Sequence, residues 1–140
     1  MPSGSCLCGK VAYEYSGNPV TTAVCHCTDC QKWGGAGYSS NLAISTDALN
    51  ITAGTPITYT RKGLSGKDHV LAFCGTCGTS LYSQPDSLGS VTLIKTGTLD
   101  DAAVRDLQVA NELFVKDRLN FDSAVNGAVQ HVMDLGGPTV

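Results

Sequence analysis

Hydrophobic and polar positions along this chain alternate over short stretches, each closed by turn-forming residues. Residues 8–15 alternate in part, with Val11, Tyr13 and Tyr15 on one face, and stop at Gly17-Asn18-Pro19. That pattern predicts a strand followed by a turn. Further strands are expected at 21–24, 36–44 and 49–52, and in the β-branched run Ile57-Thr58-Tyr59-Thr60. After a glycine-rich turn at 62–67, strand patterns return at 68–73, 79–82 and 90–95, and residues 97–101 form another turn.

Helical signals are few. Residues 28–32 suit one helical turn ahead of Trp33-Gly34-Gly35. Residues 104–118 fit either an irregular strand or a short helix. A modest helical period runs through 122–133, where Val125, Val129 and Val132 fall near one face, although Gly127 weakens it. Gly136-Gly137-Pro138 reads as a loose end. No repeat, linker or low-complexity tract interrupts the pattern. The chain is expected to be mainly β, one domain over residues 4–122 with 123–140 as its C-terminal extension.

Composition agrees with a folded domain. The chain is 42% hydrophobic and 15% charged, and its 16 glycines and 5 prolines favour many short strands joined by turns. A formal charge of −3 gives no electrostatic footprint for nucleic acid, so no such partner is expected. No apolar run is long enough for a membrane span, and residues 1–9 carry no basic and apolar leader. A cytoplasmic location is therefore expected. In a reducing compartment, cysteines act as ligands or catalysts more often than as disulfides.

The seven cysteines change the picture most. They fall into three groups: Cys6-Leu7-Cys8, Cys25-His26-Cys27-Thr28-Asp29-Cys30, and Cys74-Gly75-Thr76-Cys77. Zinc takes four soft ligands tetrahedrally, and structural sites are closed by four protein groups. Cys6 and Cys8 with Cys74 and Cys77 would make such a site and clamp the start of the chain to its middle. Cys25, Cys27 and Cys30 then remain. Three protein ligands leave one coordination position open, the arrangement of catalytic zinc, and a substrate thiol could enter there. Two zinc ions per chain are expected, one structural and one open. Closure of the second site by His26, or by Asp29, stays an alternative, although a residue between two ligands tends to point away from the metal they share. An iron–sulfur cluster fits the ligand type, but this spacing favours zinc.

With those residues in view, the chain resembles the glutathione-dependent formaldehyde-activating enzymes, a family that includes centromere-associated relatives. Gly4-Ser5-Cys6-Leu7-Cys8-Gly9, Cys25-His26-Cys27-Thr28-Asp29-Cys30-Gln31-Lys32-Trp33-Gly34-Gly35 and Phe73-Cys74-Gly75-Thr76-Cys77-Gly78-Thr79-Ser80-Leu81 carry the likeness. It implies an Mss4-like β-tent with zinc-binding cysteine knuckles. By position, Cys6, Cys8, Cys74 and Cys77 would hold the structural zinc and Cys25, Cys27 and Cys30 the catalytic one. The implied activity is that of a carbon–sulfur lyase acting on a glutathione or other thiol adduct. The name reaction joins glutathione and formaldehyde to S-hydroxymethylglutathione. The implied partners are glutathione or another small thiol and a small aldehyde or thiol adduct.

The alternative is a non-catalytic zinc module that binds glutathione or a protein. The chain departs from the family at Val109-Ala110-Asn111-Glu112-Leu113-Phe114, where many relatives have a proline and a histidine. Phe121 stands where tryptophan is common. If the missing histidine lines the pocket in relatives, substrate choice is expected to differ here, with metal binding unaffected. Trp33 is expected as a lid or packing residue, and Arg118 either as a carboxylate anchor or in a structural ion pair. Exposed strand edges and an apolar tail permit a homodimer without requiring one.

Overall fold

In the stretch Ser80–Pro85, Leu81, Ser83 and Pro85 are buried while Ser80, Tyr82 and Gln84 are half-buried. That two-residue period organises most of the molecule. The computed structural model describes all 140 residues, Met1–Val140. Its elements are β1 (Ser3–Ser5), β2 (Ala12–Tyr15), β3 (Thr21–Cys25), α1 (Thr28–Gly34), β4 (Ser39–Ser45), β5 (Leu49–Ala53), β6 (Ile57–Lys62), β7 (Asp68–Phe73), β8 (Ser80–Pro85), β9 (Val91–Lys95), β10 (Asn111–Leu113) and β11 (Val129–Gln130). Short 3-10 turns fill several connections.

The strands form two sheets. One has the order β1-β2-β5, and the other runs β11-β10-β3-β4-β9-β8-β7-β6. Pairing is antiparallel except where β10 lies parallel to both β3 and β11. The fold is mainly β, with one short helix and two cysteine knuckle regions, as in an Mss4-like β-tent.

The main core lies between the sheets and gathers Val11, Tyr13, Tyr15, Leu42, Ile44, Leu81 and Ile94, together with Cys6 and Cys74. Leu42, Ile44, Leu81 and Ile94 lose nearly all contact with water, each contributing about 1.5–3 kcal/mol of burial. Tyr13 crosses this core and reaches Thr98, its hydroxyl 2.7 Å from Thr98 Oγ1. Burial pushes its phenol up to about 12. Gly4 makes that crossing feasible, because a Cβ there would sit 2.2 Å from Tyr13 Cζ. A second, smaller core holds Cys25, Cys27 and Phe114.

Several expectations need correction. The strand expected over 8–15 begins at Ala12, and that over 36–44 begins at Ser39. The helical period over 122–133 does not form a helix. Val129 and Gln130 instead make β11, parallel to β10, with the Val129 N–H donating to the Ala110 carbonyl. The His131 N–H donates to the Glu112 carbonyl. Gly127, at φ +86°, turns the chain into this path. The undecided stretch 104–118 resolves into a 3-10 turn at Ala102–Asp106, β10, and a second 3-10 turn at Val115–Asp117.

Candidate metal centres and an adjoining cleft

Two groups of sulfurs converge, and they are the groups that spacing suggested. The Sγ atoms of Cys6, Cys8, Cys74 and Cys77 lie within 4.8 Å of one another, and so do those of Cys25, Cys27 and Cys30. None is a disulfide. Cys6 Sγ stands 3.6 Å from Cys8 Sγ, and Cys8 Sγ 3.8 Å from Cys74 Sγ. A zinc–thiolate bond of about 2.3 Å implies a tetrahedral edge of about 3.8 Å, so the four-sulfur group has the dimensions of a tetrahedral metal site.

Local backbone builds the first group. The Val11 N–H donates to Cys6 Sγ at 3.3 Å, and the N–H groups of Thr76 and Cys77 approach Cys74 Sγ at 3.4 and 3.5 Å. Gly78, at φ +78°, closes this knuckle by donating its N–H to the Cys74 carbonyl. Such donors disperse thiolate charge and orient the ligand. A hydroxyl bond with Thr79, at 3.2 Å, leads the contributions that hold the Cys77 thiol down to about 5.

The second group sits where β3 passes into α1. Alternation at the end of β3 sends Cys25 and Cys27 one way and His26 the other. Cys27 then caps α1, its Sγ accepting from the Cys30 N–H at 3.2 Å, so one helical turn brings Cys30 to Cys27. Phe114 packs on Cys25 and Cys27 with its backbone in the left-handed region, φ 54°. Contacts with Cys25 and Cys27 hold the Cys30 thiol down to about 2, aided by Ser39 and the charge of Lys95. Cys27, Cys30 and burial push Cys25 up. Three sulfurs this close cannot all ionise without a cation to share, and the donor set suits a divalent metal ion.

His26 is in neither group. It is fully buried, its Nε2 lies 2.8 Å from Glu112 Oε1, and it stacks edge-on against Tyr38. Glu112 Oε2 accepts from the Val125 N–H and from Gln130 Nε2, both at 2.6 Å, and Arg118 lies 3.4 Å from Oε1. Arg118 is thus a structural partner. Asp29 is also outside both groups and pairs with Arg61 at 3.1 Å. Lys62 pairs with Asp68, and Lys67 is exposed.

A cleft of about 390 Å³ opens beside the second group, lined by Cys30, Trp33, Ser39, Ser80, Lys95 and nearby glycines. Lys95 Nζ is 2.5 Å from Asn41 Oδ1 and 5.1 Å from the centre of the Trp33 ring. Burial lowers its pKa, opposed by the neighbouring thiols. Sequence reasoning missed Lys95 and Glu112. Lys95 is the one charged residue of a strand read as core-forming, and Glu112 lies in the stretch whose pattern was undecided.

This arrangement can be set beside known proteins. The family model described as glutathione-dependent formaldehyde-activating enzyme matches residues 1–117. The chain belongs to that family. A crystal structure of a Rhodobacter sphaeroides protein shares the fold of this family member, with a TM-score of 0.60 and 22% identity. The likeness covers 76% of this chain and 96% of that one. No protein of curated function matches the chain.

Proposed function

We propose that the protein is a zinc-dependent carbon–sulfur lyase acting on a glutathione or other thiol adduct of a small aldehyde. The observation that carries this reading is the inequality of the two sulfur groups: four cysteines in one, three beside an open cleft in the other. A zinc ion held by Cys25, Cys27 and Cys30 would leave a position for a substrate thiol and supply its deprotonation near neutral pH. In the forming direction the thiol sulfur bonds to the carbonyl carbon, the carbon–oxygen π bond breaks, and the thiol proton ends on oxygen. Cleavage is the reverse.

The chain's own residues set the stage for that exchange. Cys27 and Cys30 are fixed relative to each other by the cap of α1. The His26–Glu112 contact holds the segment between Cys25 and Cys27 from behind. Ser39 and Ser80 line the cleft, and their hydroxyls would serve as donors to an oxygen of the adduct. Cys6, Cys8, Cys74 and Cys77 serve stability, since the first group lies against the main core. Thiols in these roles must stay reduced, in keeping with a cytoplasmic setting.

The testing experiment is zinc stoichiometry with X-ray absorption, with and without glutathione, on the protein and on Cys27→Ala. The expected result is two zinc ions per chain, one gaining a sulfur when glutathione is added, and loss of that site and of turnover in Cys27→Ala. One zinc per chain, or two that ignore glutathione, would turn the reading toward a non-catalytic binding module. Unchanged turnover in a folded Cys27→Ala protein would sink the lyase reading.

A further inference from the structure

The cleft beside Cys30 has a chemical character of its own. Its wall holds one cationic side chain, Lys95, and no carboxylate, and its one acidic group is Cys30, a member of the three-cysteine group. The ammonium has three donors, and its hydrogen-bonding partner in the protein is Asn41 Oδ1, at 2.5 Å. No aspartate or glutamate pairs with it. Trp33 covers one side, 5.1 Å from Nζ to the ring centre, where an indole face favours a cation. Ser39, Ser40 and Ser80 also line the wall, and Gly34, Gly78 and Gly97 bring backbone without side chains to it.

We propose that this cleft is a carboxylate pocket, in which Lys95 grips a carboxylate of the ligand beside the three-cysteine centre. The proposal rests on the reading that this centre receives a substrate thiol, and it narrows the ligand class to molecules bearing a carboxylate near the reacting sulfur or carbon. A cation with spare donors in a wall without carboxylates favours an anion over a neutral alcohol, through charge-assisted hydrogen bonds. Asn41 fixes the ammonium, so little ordering remains when the ligand arrives. The carboxylate has two sources. It belongs either to the thiol or to the carbonyl partner, as in a 2-oxo acid.

Trp33 is the single tryptophan of the chain and lines the cleft, so its fluorescence reports occupancy directly. Zinc-loaded protein is titrated with mercaptopropionate and with mercaptopropanol, which share a thiol and a similar length and differ in the terminal carboxylate. Propionate and glyoxylate are titrated separately. The expected result is Trp33 quenching by a carboxylate-bearing probe roughly ten-fold tighter than by mercaptopropanol. Lys95→Met should erase that preference and Lys95→Arg restore part of it. Preference for mercaptopropionate assigns the carboxylate to the thiol, and tight glyoxylate binding assigns it to the carbonyl partner.

Equal affinity for the two thiols, with propionate and glyoxylate silent, overturns the pocket. So does a preference that survives Lys95→Met. If Lys95→Met does not fold, the wild-type comparison of the probes still decides. Cobalt-substituted protein separates this result from the fate of the thiol reading. A rise in thiolate charge-transfer absorption that is equal for both thiols keeps that reading and removes the pocket. No change in that absorption on adding either thiol, with Lys95-dependent propionate binding, does the reverse.

Discussion

His26 Nε2 and Glu112 Oε1 meet at 2.8 Å in the interior, with both side chains about 1% exposed. His26 separates two cysteines of the second group, and Glu112 lies on β10, parallel to β3. The contact therefore ties the cysteine segment to a strand 86 positions away. Glu112 is itself held by Val125, Gln130 and Arg118, which lie beyond the family-matched residues 1–117. Residues 118–130 thus support the three-cysteine group from behind.

Replacing Glu112 with Gln keeps the shape and removes the charge that four groups, His26, the Val125 N–H, Gln130 and Arg118, converge upon. Breaking a buried ion pair from one side costs about 3–5 kcal/mol, and the retained amide oxygen should bring the loss for Glu112→Gln to the lower end, about 3 kcal/mol. Urea unfolding with an unchanged slope checks this. A midpoint equal to wild type would mean that the network stabilises nothing.

The same carboxyl gives a pH dependence with a fixed sign. Burial raises its pKa, but His26, Gln130, the Val125 N–H and Arg118 outweigh burial and hold Glu112 down to about 2. A depressed folded-state pKa stabilises the protein above the ordinary carboxylate range, and that contribution fades as pH falls toward about 2. The stability gap between wild type and Glu112→Gln should therefore be full at pH 6 and shrink between about pH 4.5 and pH 2. Comparing the two proteins cancels the release of metal by acid. A gap that widens in acid would refute the assignment.

Much of this was legible in the sequence where the signal is local. Cys74-Gly75-Thr76-Cys77 and Cys27-Thr28-Asp29-Cys30 place sulfurs within one turn of each other, so spacing alone identifies the groupings that the fold brings together. Strands such as Ser80–Pro85 and Val91–Lys95 declare themselves by a two-residue period. Residues 122–133 misled because three valines at helical spacing say nothing of a distant strand. Their backbone groups are satisfied by Ala110 and Glu112 instead of by one another. Lys95 was missed for a similar reason, since its place beside Cys30 and Trp33 arises only when β9 pairs with β4.

Gly4 offers a test of the main core. An added Cβ would lie 2.2 Å from Tyr13 Cζ and Oη and 2.7 Å from the Thr98 carbonyl oxygen. Neither neighbour can yield easily, because Tyr13 is 1% exposed and bonded to Thr98. Gly4→Ala should destabilise the protein by about 1–3 kcal/mol, the usual cost of overpacking, and lower the thermal midpoint accordingly. No change would show that β1 can shift away from Tyr13 without loss.

Metal removal should proceed in a fixed order if both centres bind zinc as proposed. Cys6 and Cys74 are 4% and 1% exposed and belong to the main core, so losing a metal there uncouples the start of the chain from its middle. Cys30 borders the open cleft, and only Cys25, Cys27 and Phe114 form the buried core around it. A chelator should therefore take the second metal first, with a small change in thermal midpoint, and the first metal later, with cooperative unfolding. Cobalt-loaded protein gives each centre its own absorption, since one has four thiolates and the other three. Cys30→Ser should remove only the early phase, whereas Cys74→Ser should prevent stable folding. The counter-route is through Cys8, which is exposed. If the four-sulfur centre empties first, access at Cys8 outweighs the burial of Cys6 and Cys74, and the stabilising role assigned to that centre fails.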